Sequence, residues 1–324
     1  MNSGDDAAKS AAAAALHMRP MSIGELVDRA VTLFLRNFVP LLSLLAVVIV
    51  PLAIIQYFQF HDFLVQYFEL LRHSISNPST PPDVSKLQTS VLAAENWSGL
   101  YYLFLFIGMP FANAAVVIGI SRAYLGGQVR FTDCYAKALQ RWLYVLVLIV
   151  LWTVALAMAF AVLIPVTIVG AVLIGGLTAL LKTFGAVLAA IVIILAVLAM
   201  IVVALMGYMA FAGSFVAVML ERIDPLRAFL LGFSRMFGHG LFWRSVLVAL
   251  ALLLFSLGAS LVAGGTGALL FWITKSPSFF IIMSQVANLL FTAFGFVVVA
   301  LYYYDIRIRQ EGFDLNLLAD QLAR

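Results

Sequence analysis

Residues 142–220 read WLYVLVLIVLWTVALAMAFAVLIPVTIVGAVLIGGLTALLKTFGAVLAAIVIILAVLAMIVVALMGYMAFAGSFVAVML, and Lys182 is the one charge among them. A soluble domain could not connect buried elements through such a stretch, because it lacks polar turns. About 18 consecutive apolar residues suffice for a membrane-crossing helix, and this run is several times longer. The whole chain agrees: 64% of its 324 residues are hydrophobic and 10% are charged, against about 25% charged in soluble domains. Lipid admits only helices or closed barrels, since every backbone polar group must be satisfied internally. A barrel would show short alternating segments in place of solid runs. The expected class is therefore an all-α polytopic membrane protein.

Working outward, six apolar segments have spanning length: 38–58, 99–120, 142–164, 186–206, 241–264 and 279–304. Lys and Arg concentrate in cytoplasmic segments. With six alternating spans and both termini inside, only Arg72, Lys86, Lys182 and Lys275 fall outside, and the other 15 of the 19 Lys and Arg fall inside. One span more or fewer would send the Arg222–Arg244 cluster outside. Within 142–220 two ordinary spans leave apolar residues over, and Pro165, Gly170, Gly175, Gly176, Gly207 and Gly213 interrupt the run. Two readings stand: long helices whose glycines permit close packing, or a re-entrant, substrate-coordinating break.

Three short segments precede spans one, three and five. SIGELVDRAVTLFLR (22–36) sets Ile23, Leu26, Val27, Ala30, Val31 and Phe34 on one helical face. Ser22 and Glu25 have capping-box spacing. FTDCYAKALQRW (131–142) repeats that stripe at an offset of 108. DPLRAFLLGFSRMF (224–237) keeps most of it at an offset of 203, through Leu226, Phe229, Leu230, Phe233 and Phe237, with Asp224 and Pro225 suited to the N-cap and first turn. Helices of this composition lie in the membrane interface. The expected organisation is a cytoplasmic tail (1–20), one transmembrane domain (21–312) of three helix-plus-hairpin units at about 21–125, 130–221 and 224–312, and a short C-terminal helix (313–324).

The last span ends in LYYYDIRIRQEGFDL (301–315). Three tyrosines suit an interfacial aromatic belt. Asp305 and Arg309 are four apart, in the order that pairs well on a helix, and Arg122 or Arg222 are alternative partners for Asp305. Gly312 suits a helix stop. The four histidines make no metal-ligand spacing, the lone Cys134 forms no disulfide framework, and no phosphate-loop, dinucleotide or nucleophile motif occurs. No catalytic residue, cofactor or metal site is expected. Asn113, Gln285 and Asn288 are candidate interhelical polar contacts. Arg29, Arg36, Lys137, Arg141, Arg235 and Arg244 line the basic side, where anionic lipid headgroups are the simplest partner and a nucleic-acid groove is not indicated.

The segments 21–42, 224–247 and 301–315 resemble a bacterial family labelled glycerophosphoryl diester phosphodiesterase membrane domain. The resemblance covers most of the chain from Met21 and implies a membrane fold in a bacterial inner membrane. The catalytic barrel that accompanies such regions elsewhere has no counterpart here, so no catalytic residue is carried over. The expected function is a non-enzymatic plasma-membrane scaffold or lipid-interacting module, with membrane lipids and a membrane-protein partner or second copy as partners. The competing expectation is a transporter or permease-like subunit for an amphiphilic solute, working through 142–220.

Overall fold

The computed structural model describes residues 20–76, 85–238, 240–274 and 276–311, and every element among them is helical. In chain order these are α1 (Ile23–Arg36), α2 (Phe38–Ser76), α3 (Ser85–Leu103), a π-helical turn (Phe104–Gly108), α4 (Met109–Tyr124), α5 (Phe131–Leu139), α6 (Trp142–Glu221), α7 (Pro225–Phe237), α8 (Phe242–Thr274) and α9 (Ser278–Glu311). Six stretches are long and apolar enough to cross a membrane: Phe38–Ser76, Trp97–Tyr124, Trp142–Val162, Ala190–Glu221, Phe242–Thr274 and Ser278–Gln310. The chain is a six-span helical membrane protein in this sense. The expected tail lies outside the described residues except for Pro20, as do Gly312 and the segment 313–324.

The helices sort into two compact units, one formed by the described residues of Met1–Trp142 with Leu252–Arg324, the other by Leu143–Ala251. This division cuts across the three units expected from the repeat. It follows side-to-side packing, whereas the repeat follows chain order.

In the first unit α9 packs on α1, α2 and α4, and α2 packs along α3 and α4. α2 has 39 residues, about 58 Å of helix, against a hydrocarbon core of about 30 Å. Residues 61–73 therefore continue the helix of the first span. Phe68 near its end stacks on Phe271 with ring centroids 4.0 Å apart, and meets Phe280 edge-on at 5.8 Å. Pro110 in the first turn of α4 has no N–H to give the preceding turn, and the chain widens there into the π turn. At that turn a Cβ on Gly108 would come within 3.0 Å of Val48, so glycine lets α2 approach.

In the second unit α6 is helical over 80 residues, about 120 Å if straight. It is not straight. Trp152 meets Phe211 edge-on at 5.8 Å, and Leu156 lies 4.0 Å from where a Cβ on Gly207 would sit. Residues nearly 60 positions apart touch, so the helix turns back into two packed arms.

Short helices precede spans one, three and five as the periodicity indicates, with N-caps at Ser22, Arg130 and Asp224. Ser22 carries a complete capping box. Its hydroxyl accepts from the Glu25 N–H at 3.2 Å, and the Glu25 carboxylate accepts from the Ser22 N–H at 2.9 Å. The buried faces are Leu26, Ala30 and Phe34 in α1, Cys134 and Ala138 in α5, and Ala228, Gly232 and Met236 in α7. The caps and buried positions align at offsets of 108 and 202. For the caps and buried positions the third offset is thus 202 in place of 203, and Leu226 and Leu230 of the expected apolar stripe face outward, each 62% exposed. The reason is size. A Cβ on Gly232 would collide with Ser214 Oγ and the Ala210 carbonyl oxygen, so only the smallest side chain lets α7 close on α6, and the large residues turn outward.

Candidate functional site at the basic helix ends

The polar chemistry of the first unit converges where α9 meets the start of the chain. Asp305 is completely buried. Its Oδ1 accepts from the Met21 N–H at 2.7 Å, and its Oδ2 accepts from Arg309 Nε at 2.9 Å. The same guanidinium donates from Nη2 to the Met21 carbonyl at 2.7 Å. The ion pair one helical turn long thus holds both polar groups of the Met21 peptide, just ahead of α1, and Met21 itself is buried. Nothing in the sequence marks Met21, because a backbone partner leaves no residue-type signal.

Beside this clasp, Ser121 and Tyr304 share a hydrogen bond of 2.8 Å, and Tyr124 packs on Tyr304 with centroids 5.0 Å apart. The Arg29 guanidinium lies beside the Tyr124 hydroxyl. Tyr302, Tyr303 and Tyr304 are at most 3% exposed. They are interior residues of the bundle, which corrects the expectation of a lipid-facing belt. Belt tyrosines need one end in headgroups; these instead lie buried in the part of α9 that leads into the buried Asp305.

The alternative partners of Asp305 are placed elsewhere. Arg122 pairs with Asp133 at 3.0 Å and closes the turn between α4 and α5, where Gly126 takes a left-handed φ of 80°. Arg222 follows α6 with φ 57°, is exposed, and belongs to the other unit. Arg235 is ion-paired with Glu221 and only 12% of its side chain is exposed, so it is not a freely presented cation. Arg29, Arg141 and Arg244 are half-buried. Of the candidate headgroup contacts, Arg36 and Lys137 are the exposed ones.

Arg36 also lines a cavity of about 530 Å³ with Asn37, Pro40, Ala123, Gly126, Gly127, Gln128 and Val129, and is its one charged wall. Asn37 builds this corner. Its amide donates to the Leu33 carbonyl at 3.0 Å, its backbone N–H turns back on α1, and α2 departs from the next residue. On α5, burial pushes the Tyr135 phenol up to about 12 and also raises the Cys134 thiol. The Tyr135 hydroxyl donates to the Leu44 carbonyl of α2.

Of the three candidate interhelical amides, Gln285 crosses helices, donating from Nε2 to Gln56 Oε1. Asn288 instead accepts from Thr292 one turn along its own helix at 3.1 Å. Asn113 Oδ1 is buried with no donor among the described residues. His61, within α2, meets its neighbour Asp62 at 3.0 Å and packs against Tyr57 with ring centroids 5.1 Å apart. Among the described residues no three His, Cys, Asp or Glu side chains converge as metal ligands would. Comparison of the chain with protein-family models, curated proteins and solved structures finds no match.

Proposed function

We propose that the chain is a non-enzymatic, multi-pass membrane module that engages anionic lipid headgroups on the side from which its short helices enter, and serves there as a scaffold. The observation that carries this is the Arg36 cavity: a headgroup-sized space, one cationic wall, and the corner of an amphipathic helix directly before a span. Phosphate at such a corner gains the charge attraction of the Arg36 guanidinium. Lys137, at the matching end of α5, supplies a second exposed cation. The distribution of Lys and Arg supports placing this side in the cytoplasm, with both termini. Membership of the membrane-domain family resembled above, in a bacterial inner membrane, belongs to the same reading.

The test uses the full chain in mild detergent with mixed lipid. Native mass spectrometry counts retained phosphatidylglycerol against phosphatidylcholine. The preference for the anionic lipid is expected to fall several-fold in Arg36→Gln with Lys137→Gln. An unchanged ratio would show that the headgroup reading is wrong.

A further inference from the structure

The Arg36 cavity is walled by two corners of the first unit. The corner from α1 into α2 gives it Arg36, Asn37 and Pro40, and the turn from α4 into α5 gives it Gly126, Gly127 and Gln128. Three of these side chains hold polar groups that the described residues leave unused. The Arg36 guanidinium and the Gln128 carboxamide, both on exposed residues, make no hydrogen bond or ion pair among them. Asn37 donates from Nδ2 to the Leu33 carbonyl, so Oδ1 is the end left over. That oxygen accepts from nothing among the described residues, and unlike Asn113 Oδ1 it is not sealed from the surface.

The wall defines the ligand. Arg36 is the one charged residue in it, so it matches one negative charge. A phosphodiester carries one, whereas a phosphomonoester carries about 1.5 to 2 at neutral pH. An ammonium or choline group would set a second cation beside Arg36, and no carboxylate lines the cavity to receive it. Asn37 Oδ1 can only accept, and the Gln128 carboxamide can donate or accept. The neutral group that satisfies both is a hydroxyl, which donates and accepts through one oxygen. Leu35 and Val39, on either side of this corner in the chain, are 64% and 73% exposed. They put apolar surface where the first span begins, which suits a phosphodiester that carries acyl chains.

We infer that the Arg36 cavity selects phosphodiester lipids with hydroxyl-bearing headgroups, the phosphate on the Arg36 guanidinium and a headgroup hydroxyl between Asn37 Oδ1 and the Gln128 carboxamide. This rests on the headgroup reading above and narrows it from charge to headgroup identity. Gln128 is then a specificity-determining residue. It reaches the same cavity as Asn37 through a turn that needs Gly126 at a left-handed φ of 80°.

The experiment compares two lipids of equal charge, so charge cancels from the result. Full-length protein in mild detergent is incubated with phosphatidylglycerol and phosphatidylpropanol of the same acyl chains, the second lacking both headgroup hydroxyls. Native mass spectrometry counts which is retained. Wild type is expected to favour phosphatidylglycerol about three- to tenfold, the worth of one net hydrogen bond. Gln128→Met removes a carboxamide that no described residue uses, so it leaves the fold intact, and it is expected to bring the ratio close to one. Asn37→Ala is expected to do the same. Soluble glycerophosphoglycerol, the same headgroup without acyl chains, is expected to leave the lipid bound at equal concentration; displacement there overturns the lipid as the source of the phosphodiester. A wild-type ratio of one, or a preference that survives Gln128→Met combined with Asn37→Ala, overturns the inference. Where the preference for anionic over zwitterionic lipid persists beside such a result, the headgroup reading stands and this inference alone falls. An anionic preference unchanged in Arg36→Gln with Lys137→Gln brings down the reading beneath it instead.

Discussion

Removing the Asp305 carboxylate should separate the first helix from the last. In Asp305→Ala the Met21 N–H loses its acceptor 2.7 Å away, and Arg309 loses an oxygen at 2.9 Å. Breaking a buried ion pair by deleting one partner costs about 3–5 kcal/mol. Arg309 keeps 31% of its side chain in contact with solvent, which relieves part of the stranded charge and places the cost near the low end, about 3 kcal/mol. For a chain of this size each kcal/mol lowers the melting temperature by about 2–4 °C. The expected drop is then about 6–12 °C, read by tryptophan fluorescence during thermal unfolding in detergent. Asp305→Asn keeps an oxygen for Met21 but no charge for Arg309, and should fall between. The double variant Asp305→Ala with Arg309→Ala should cost less than the sum of the singles, with a coupling of about 1–3 kcal/mol. Asp28→Ala, on the exposed face of α1, serves as the control and should move the transition by less than about 0.5 kcal/mol. A melting temperature for Asp305→Ala indistinguishable from wild type, or strict additivity in the cycle, would refute the clasp.

Two further outcomes follow from the packing. Gly232→Ala should destabilise by about 1–3 kcal/mol, the usual cost of overpacking, since its methyl would meet Ser214 and the Ala210 carbonyl. Leu230→Ser on the exposed side of the same helix should be nearly neutral by the same denaturation assay, and reversed effects would contradict the register of α7. The Tyr135 phenol is raised to about 12, above its ordinary value near 10. The folded state therefore holds this proton where the unfolded state releases it. Stability from this residue is complete below pH 10 and declines as pH rises toward 12. Tyr135→Phe should flatten that alkaline limb in a pH series of melting temperatures, and an unchanged limb would assign it to other groups.

The spans were legible because apolar run length is what lipid selects, and residues 142–220 exceed any soluble alternative. The short helices were legible because Ser22 with Glu25, and Asp224 with Pro225, mark starts chemically. Spacing alone pointed to Asp305 with Arg309, since four residues is one helical turn. Other features left no such trace. Hydrophobic periodicity measures apolarity and not size, so the stripe through Leu226 and Leu230 gave no sign that α7 packs through Ala228 and Gly232. In a membrane both faces of a helix are apolar, so composition cannot tell inside from outside; Tyr302–Tyr304 looked like a belt and are core. The return of α6 on itself depends on contacts between residues nearly 60 apart, which no local pattern encodes. The Met21 clasp uses backbone atoms that every residue owns.

The most direct measurement is cysteine accessibility in sealed membrane vesicles, which asks whether the three short helices share one side. Cys134 is buried and its thiol is raised by burial, and Cys134→Ala gives a clean background. Single cysteines then replace Arg36, Lys137, Arg227 or Arg72, all exposed positions. Residues 36, 137 and 227 are predicted to react with a membrane-impermeant maleimide from the same side, and residue 72 from the opposite side. Labelling of 137 or 227 from the side opposite to 36 would contradict the six-span alternation.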